Sequence, residues 1–227
     1  MGRARRGAAA RCFAQGGQPL LNRNPAGAAD DVTDEQQVKD LVARAVEEFG
    51  GLNVVVPNAG IATTTPLIET SFEDWRKVMS VNLDGVFLTV RHSLPALVAS
   101  GGGSIVNISS MLGRLPMATF RSAYCGAKHF VNALTATMRA EVQTTHPGIQ
   151  ITLVSPGGVK TDFGLNARHG GVDSKTLAHF EEPEGVAAAM WEAIETRVPD
   201  LYTRSGAKDS VLGYLASLTA DPTVHTS

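Results

Sequence analysis

From Asp30 onward, short runs of apolar, often β-branched residues alternate with longer segments in which apolar residues recur at helical spacing. The short runs predict strands at 52–56, 104–109, 150–155 and 200–203, and their continuous apolar character is typical of parallel strands buried on both faces. The longer segments predict helices over 34–49, 72–98, 122–143 and 184–197. This alternation predicts a doubly wound α/β fold, in which helices cover both faces of a parallel sheet in three layers and one domain.

Two of the predicted helices carry start signals. Thr33 and Gln36 form a capping-box pair before the first helix, and Ser71 and Asp74 cap the second. Asn82 falls in the middle of that second helix, where a polar side chain competes for backbone hydrogen bonds. The helix over 72–98 is therefore expected to kink near Asn82.

Composition excludes several functional classes. The chain of 227 residues is 43% hydrophobic and 19% charged, which excludes disorder over most of its length. With 20 Lys and Arg against 22 Asp and Glu, it is not expected to bind nucleic acid or an anionic membrane. No run approaches the roughly 18 apolar residues of a membrane span. The two cysteines, Cys12 and Cys125, form neither a disulfide framework nor a zinc pattern, so we expect a cytoplasmic protein without a metal site.

The first 29 residues differ from the rest of the chain. They contain five arginines and no acidic residue, and they lack a clear apolar strand. Three interpretations stay open: a transit peptide, a solvated tail, or a start that is not the natural one. We therefore treat 1–29 as an atypical N-terminal segment and 30–227 as the expected α/β domain.

Small and hydroxyl-bearing residues follow three of the predicted strands. In open parallel sheets, ligands bind beyond the carboxyl ends of the strands, so these residues are expected at one edge. Small residues there allow a ligand to approach the backbone closely. Together they predict a site for a flat or phosphate-bearing ligand, formed by Pro57 to Gly60, Ser110 and Gly113, and Pro156 to Gly158 with Val159 and Thr161.

The third predicted helix places Tyr124 and Lys128 one turn apart on the same face. A tyrosine hydroxyl with a pKa of about 10 is a poor acid-base group at neutral pH. A lysine ammonium within about 4–6 Å favours the phenolate, and we expect it to lower the tyrosine pKa. The pair then exchanges a proton with a substrate alcohol or carbonyl oxygen, and the hydroxyl of Ser110 holds that oxygen in place.

Six motifs in order resemble those of a classical short-chain dehydrogenase/reductase, and the resemblance covers more than three quarters of the chain. It implies a Rossmann-like fold and an NAD(P)-dependent oxidoreductase that moves a hydride between nicotinamide and a secondary alcohol or ketone. The motifs are Asp31-Val32-Thr33-Asp34, Asn58-Ala59-Gly60, Val81-Asn82-Leu83, Ser109-Ser110 with Gly113, Tyr124 to Lys128, and Pro156 to Thr161.

The resemblance also implies the roles of individual residues. Tyr124 is the acid-base group, Lys128 lowers its pKa, Ser110 polarises the substrate oxygen, and Asn82 holds a water in a proton relay with the lysine. The spacing of Ser110 to Gly113 selects that serine over its neighbour. The implied cofactor-binding residues are Asp31 and Val32 at the adenine, Asn58, Ala59 and Gly60 at the adenine ribose, Tyr124 and Lys128 at the nicotinamide end, and Pro156, Gly157, Val159 and Thr161 after the third strand.

Two further features follow from the resemblance. The segment 163–180 stands where the family places a substrate lid, although a solvated loop is an equal alternative for its Arg168, His169 and Lys175. The long apolar helices over 72–98 and 122–143 carry more apolar surface than one sheet face covers. In the family such helices build dimer or tetramer interfaces, so a homodimer or homotetramer is expected.

The chain departs from the family pattern at its start. No Gly-x-x-x-Gly-x-Gly turn, which would hold the cofactor pyrophosphate at a helix N-terminus, occurs in 1–29. Weak cofactor binding is therefore expected, together with a slight preference for NADP if Arg23 lies at its ribose phosphate. Three alternatives stay open: a catalytically impaired or truncated homologue that acts by association, an epimerase, and a lyase on the same fold.

Overall fold

The structure, a computed structural model, describes residues 31–218. The predictions for segment 1–29, including the role of Arg23, lie outside the described residues.

Four parallel strands form the described sheet: β1 (Val54–Val55), β2 (Gly103–Ile108), β3 (Ile149–Ser155) and β4 (Asp200–Tyr202). They pair in the order β1-β2-β3-β4. All seven residues of β3 are buried, as expected of a central parallel strand covered on both faces. The predicted parallel α/β sheet is confirmed.

Within residues 31–218, six helices precede, connect or follow the strands. They are α1 (Glu35–Phe49), α2 (Phe72–Met79), α3 (Gly85–Ala99), α4 (Ser122–Thr145), α5 (Pro183–Thr196) and α6 (Ala207–Leu218), with short 3-10 turns at Leu67–Glu69, Met111–Gly113 and Ser174–Thr176. Helix α6 was not predicted from the sequence.

The sheet is covered on both faces, which gives the predicted three layers. On one face, side chains of α3 and α4, such as Leu97 and Met138, pack against Ile105 and Ile151 of the strands. On the other face, α5 packs its Val186 and Met190 against Val106 and Val154. These two apolar clusters hold the carboxyl ends of β1, β2 and β3 at one edge.

The start of α1 differs from the prediction by one residue. Asp34, not Thr33, is the N-cap, and its carboxylate accepts the N–H groups of Gln36 at 2.8 Å and Gln37 at 3.1 Å. Thr33 is unavailable as a cap because its hydroxyl donates to the Asp31 carboxylate at 2.7 Å.

The helix predicted over 72–98 is interrupted at Asn82. Helix α2 ends at Met79, a π-helical turn occupies Ser80–Asp84, and α3 begins at Gly85. The widened turn exposes backbone groups that a regular helix satisfies internally, and it brings the Asn82 side chain to the sheet edge. The kink is therefore where the sequence places it.

Candidate active site

Helix α4 presents Tyr124 and Lys128 to the carboxyl edge of the sheet, one turn apart. Both side chains are buried, at 7% and 4% exposure. The Lys128 ammonium donates to the carbonyl of Ile108, the last residue of β2, at 2.9 Å. Its nitrogen lies 5.7 Å from the centre of the Tyr124 ring. The pair that the spacing predicts therefore sits together in a covered site, anchored to the end of a strand.

The two serines after β2 do different things. The hydroxyl of Ser110 lies close enough to Tyr124 to act on the pKa of the tyrosine, and it accepts the N–H of Leu112 at 3.1 Å. The hydroxyl of Ser109 donates instead to the half-buried Asn132 side chain at 2.5 Å. Only Ser110 therefore faces the tyrosine hydroxyl, whereas Ser109 ties the strand end to α4.

Gly113 explains the Ser-x-x-Gly spacing of this loop. A Cβ atom at Gly113 would lie 2.8 Å from the carbonyl oxygen of Lys128 and 2.7 Å from the Ser109 hydroxyl. The Gly113 carbonyl in turn accepts the side-chain N–H of Asn132 at 2.5 Å. The missing side chain thus allows the loop that carries Ser110 to pack directly on α4.

Asn82 is fully buried between the π-helical turn and the segment after β1. Its amide nitrogen donates to the carbonyls of Ile61 at 2.8 Å and Val78 at 2.9 Å. Its side-chain oxygen, Oδ1, accepts no hydrogen bond from the described residues. A Cβ at Gly60 would lie 2.9 Å from that oxygen and 3.7 Å from the Lys128 ammonium nitrogen. The glycine thus stands between an unpaired acceptor and a cationic donor.

Burial dominates the acid-base properties of the pair. It raises the pKa of Tyr124 to about 12, although the Ser110 hydrogen bond and the nearby charge of Arg121 both act in the opposite direction. Burial also lowers the pKa of Lys128 to about 8. From the spacing of the pair, Lys128 is expected to lower the tyrosine pKa. In this structure the shift has the opposite direction, because burial of the hydroxyl outweighs the effects that favour the phenolate.

The predicted cofactor-binding residues fall into two places. Asn58, Ala59 and Gly60 follow β1, and the residues from Pro156 to Thr161 follow β3, at the same sheet edge as Ser110. The carbonyl of Pro156 accepts the N–H of Met111 at 2.8 Å, which joins the loops after β2 and β3. Asp31 and Val32 lie elsewhere, at the start of α1, where Val32 packs against Gly85 of α3.

The residues at this edge fit a nicotinamide nucleotide. Asn58 and Ala59 are exposed, and Lys128 offers a buried ammonium beside Gly60. Val159 and Glu181 form a parallel bridge, in which the Lys160 N–H donates to the Glu181 carbonyl and the Glu181 N–H donates to the Gly158 carbonyl, each at 2.9 Å. In such a bridge the N–H of Val159 points away from Glu181. Exposed residues after a strand, an amide donor and a cation together suit a ribose, a carboxamide and phosphates.

Part of the segment 163–180 covers Tyr124, through contacts that the sequence did not predict. Phe163 packs on the tyrosine with ring centroids 5.5 Å apart, and Ala62 and Ala167 complete the buried cluster. Arg168 and His169 both bind Asp74, which the sequence indicates only as a capping residue. A polar pattern such as Arg-His in a loop carries no signal for a partner more than ninety positions away.

A hollow of about 470 Å³ lies on the flank of α4 beside Cys125, Gly126 and His129, and Phe120 lines it. Met117 is 70% exposed and does not line this hollow.

Among residues 31–218, no three His, Cys, Asp or Glu side chains are grouped to hold a metal ion. Within the same range, no helix combines the length and apolarity needed to cross a membrane.

Comparisons with known proteins agree on the family. The model of the short chain dehydrogenase family matches residues 5–170, so the match begins inside the arginine-rich segment. A cis-4-hydroxycyclohexanecarboxylate dehydrogenase from Sinomonas cyclohexanicum is 41% identical over 165 residues, which cover 70% of this chain and 65% of that protein. The chain spans 61% to 66% of the length of the first curated relatives it matches.

Solved structures show the same fold. A short chain dehydrogenase/reductase from Burkholderia phymatum in complex with NAD superimposes with a TM-score of 0.76 at 25% identity, over 98% of this chain and 86% of that one. An alcohol dehydrogenase from Thermococcus sibiricus complexed with 5-hydroxy-NADP superimposes with a TM-score of 0.64 at 27% identity, over 76% of this chain and 71% of that one.

Proposed function

This chain belongs to the short-chain dehydrogenase family, and we propose that the protein is an NAD(P)-dependent oxidoreductase acting on a secondary alcohol or the corresponding ketone. The observation that carries the proposal is the buried Tyr124, which lies beside the buried Ser110 and one helical turn from the buried Lys128. Burying a hydroxyl whose hydrogen bonds are not all satisfied costs stability. A buried tyrosine hydroxyl at this edge of the sheet therefore favours a catalytic role over a structural one. Residues 30–227 act as its single catalytic domain in this proposal.

Tyr124 is the proton donor and acceptor. In carbonyl reduction, its hydroxyl gives a proton to the substrate oxygen as a hydride reaches the substrate carbon, which leaves an alcohol and a phenolate. A pKa of about 12 keeps the hydroxyl protonated at neutral pH, so it is ready to donate. In alcohol oxidation the same proton returns to the tyrosine. The nicotinamide ring supplies or accepts the hydride when bound, and its oxidised form adds a positive charge that favours the phenolate.

Ser110 orients the substrate oxygen. Its hydroxyl is already placed at Tyr124, and the N–H of Leu112 fixes the position of its oxygen at 3.1 Å. A substrate oxygen that takes the place between the two hydroxyls accepts a hydrogen bond from each. Such positioning lowers the cost of bringing the reacting atoms together.

Lys128 and Asn82 take part in a proton relay that returns a proton to Tyr124 after each reduction. The Lys128 ammonium is held by the Ile108 carbonyl, and the free Asn82 oxygen faces the same space across Gly60. We place a water there, bound by the amide oxygen and the ammonium, which passes protons between the site and solvent. Because Asn82 is anchored through its amide nitrogen to Ile61 and Val78, its oxygen keeps a fixed direction.

The cofactor in this proposal is NAD or NADP, held by the backbone after β1 and β3 and by Lys128. The slight preference for NADP rests on Arg23, outside the described residues. The relative from Sinomonas cyclohexanicum is named for a hydroxylated cyclohexane ring, so cyclic secondary alcohols are the first substrates to test. We place the enzyme in the cytoplasm, which the low cysteine content of the sequence, two in 227 residues, favours.

The protein acts as a homodimer or homotetramer in this proposal. Phe87 on α3 and Phe130 on α4 are 44% and 43% exposed, and α3 and α4 cover the same sheet face. Large apolar side chains on adjacent helices mark association surfaces. Sedimentation of the full chain should give a multiple of 23.9 kDa, and a Phe130→Asp variant should shift it toward the monomer.

The experiment that tests the activity compares Tyr124→Phe with the unchanged protein. We expect turnover of a cyclic alcohol, followed by nicotinamide absorbance, to fall by about 10²–10⁴ while nucleotide binding stays unchanged. Tyr214→Phe on α6 is the matched control and should keep full activity. Equal turnover by Tyr124→Phe would contradict the mechanism.

A further inference from the structure

Asp74, fifty positions before Tyr124 in the sequence, is a buried carboxylate that binds two side chains of the loop packed against the tyrosine. Asp74, in the first turn of α2, is only 5% exposed. Its carboxylate accepts the Ser71 hydroxyl at 2.8 Å, the ring N–H of His169 at 2.8 Å, and the guanidinium of Arg168. These hydrogen bonds hold the pKa of Asp74 at about 2, so the group is ionised near neutral pH.

The two basic residues belong to the segment that follows β3. Their backbone is also attached to the segment after β1: the Arg168 N–H donates to the Ala62 carbonyl at 2.8 Å, and the Thr64 N–H donates to the Arg168 carbonyl at 3.2 Å. Thr63 and Arg168 thereby form an isolated parallel bridge. We call residues 163–169, fastened in this way, the cover segment.

The cover segment lies on the candidate acid-base residue. Phe163, at its start, packs on the Tyr124 ring, and Ala167, near its end, joins Ala62 in the same buried cluster. The Ile61 carbonyl, next to Ala62, is the acceptor that anchors Asn82 at 2.8 Å. The contacts of Asp74 are therefore connected through one short stretch of backbone to Tyr124 and Asn82.

The backbone at His169 supports a specific role for this contact. His169 has φ of +66°, a left-handed conformation that costs a non-glycine residue free energy. That conformation directs the imidazole to Asp74 while Gly170, with φ of +83°, turns the chain away. Arg168 and His169 are 39% and 49% exposed at their side chains, so water competes for both unless Asp74 holds them.

We propose that Asp74 is a positioning residue for substrate binding, which holds the cover segment closed over Tyr124 through Arg168 and His169. It touches neither substrate nor cofactor. Loss of its charge removes the side-chain anchors and leaves the two backbone hydrogen bonds, whose amides exchange with solvent when the segment opens. The substrate space beside Phe163 and Tyr124 then loses its fixed shape. The effect on substrate binding rests on the proposed function, whereas the closure itself does not.

Hydrogen exchange of the full chain tests the closure directly. In Asp74→Asn, the amides of Arg168 and Thr64 should exchange about tenfold faster or more, since hydrogen bonds to charged groups are the stronger kind. Amides in the middle of α4 should keep their rates. His169→Asn is the second variant, because asparagine tolerates a left-handed conformation but is too short to replace the imidazole contact. Glu73→Gln is the matched control: its carboxylate is 86% exposed, lies 3.8 Å from Arg168, and should leave the rates unchanged.

Kinetics then separates positioning from a general loss of structure. Asp74→Asn and His169→Asn should raise the KM for the alcohol or ketone about tenfold, with a smaller change in kcat and an unchanged dissociation constant for the nucleotide. An equal loss of kcat and nucleotide binding would indicate damage to the whole site and overturn the positioning role. Unchanged exchange at Arg168 and Thr64 in both variants would overturn the closure, whether or not the protein turns over an alcohol.

Discussion

Lys128 directs its ammonium to the Ile108 carbonyl, 2.9 Å away, while its nitrogen lies 5.7 Å from the centre of the Tyr124 ring. The lysine therefore ties α4 to the end of β2 and directs its hydrogen bond to the strand. Two buried groups of opposite type sit one turn apart, and burial opposes the charge on each. The consequences appear first in the pH dependence of stability.

Replacing Lys128 by methionine should change how stability responds to alkaline pH. Below pH 8 the lysine is charged in both the folded and the unfolded protein, and the folded protein carries the cost of burying that charge. As pH rises from 8 to 10, the folded protein has lost the proton that the unfolded chain still binds. The free energy of unfolding should therefore rise by up to about 1.4 kcal/mol per pH unit. Urea denaturation at several pH values should show this rise in the unchanged protein and not in Lys128→Met.

The control for that series is Lys208→Met on α6, where the lysine is exposed. It should keep the rise between pH 8 and 10. The series stops at pH 10, because Tyr124 begins to lose its proton in the unfolded chain there but keeps it in the folded protein up to about pH 12. This difference lowers the free energy of unfolding as pH rises from about 10 to 12. Parallel curves for Lys128→Met and the unchanged protein would contradict the buried charge.

The neighbouring serines should separate activity from stability. Ser110→Ala removes the hydroxyl at Tyr124, so kcat/KM for the alcohol should fall by about 10-fold to 100-fold with little change in unfolding free energy. Ser109→Ala leaves the half-buried Asn132 oxygen without its 2.5 Å donor and should destabilise the protein by about 0.5–1.5 kcal/mol. Steady-state kinetics and thermal denaturation of both variants check this, and a reversed pattern would assign the catalytic hydroxyl to Ser109.

The fold and the pair on α4 were predictable because both follow from short-range periodicity. The alternation of apolar runs fixes parallel strands and helices, and the spacing of Tyr124 and Lys128 puts them on one helical face. The contacts of Asp74 were not predictable in this way. They depend on where the segment after β3 folds back, and no local pattern around Arg168 specifies a partner on α2. The direction of the Tyr124 pKa shift was not predictable for a related reason, since it depends on burial of the tyrosine by residues such as Phe163 that are distant along the chain.

Gly60 should tolerate no side chain although it lies outside any helix or strand. An alanine Cβ would lie 2.9 Å from the Asn82 side-chain oxygen, closer than such contacts normally are, so Asn82 must shift. Gly60→Ala should therefore reduce kcat clearly while the melting temperature changes little. Gly126→Ala on α4 is the control: its new Cβ meets only Met79 at 3.8 Å, and helix propensity predicts a gain of about 0.5–1 kcal/mol without loss of kcat.

Asp74 should also set the acid limit of the fold. Its pKa is about 2 in the folded protein and 3.8 in the absence of its partners, so the folded chain binds fewer protons between these values. The stabilisation is fully present above pH 4 and is lost as pH falls toward 2, because protonation removes the acceptor charge from Arg168 and His169. The free energy of unfolding, measured by denaturation at several pH values, should therefore fall less steeply between pH 5 and 2 for Asp74→Asn than for the unchanged protein. Glu73→Gln, which alters an exposed carboxylate next to the same arginine, should keep the steeper curve, and identical slopes for all three proteins would remove Asp74 as the group responsible.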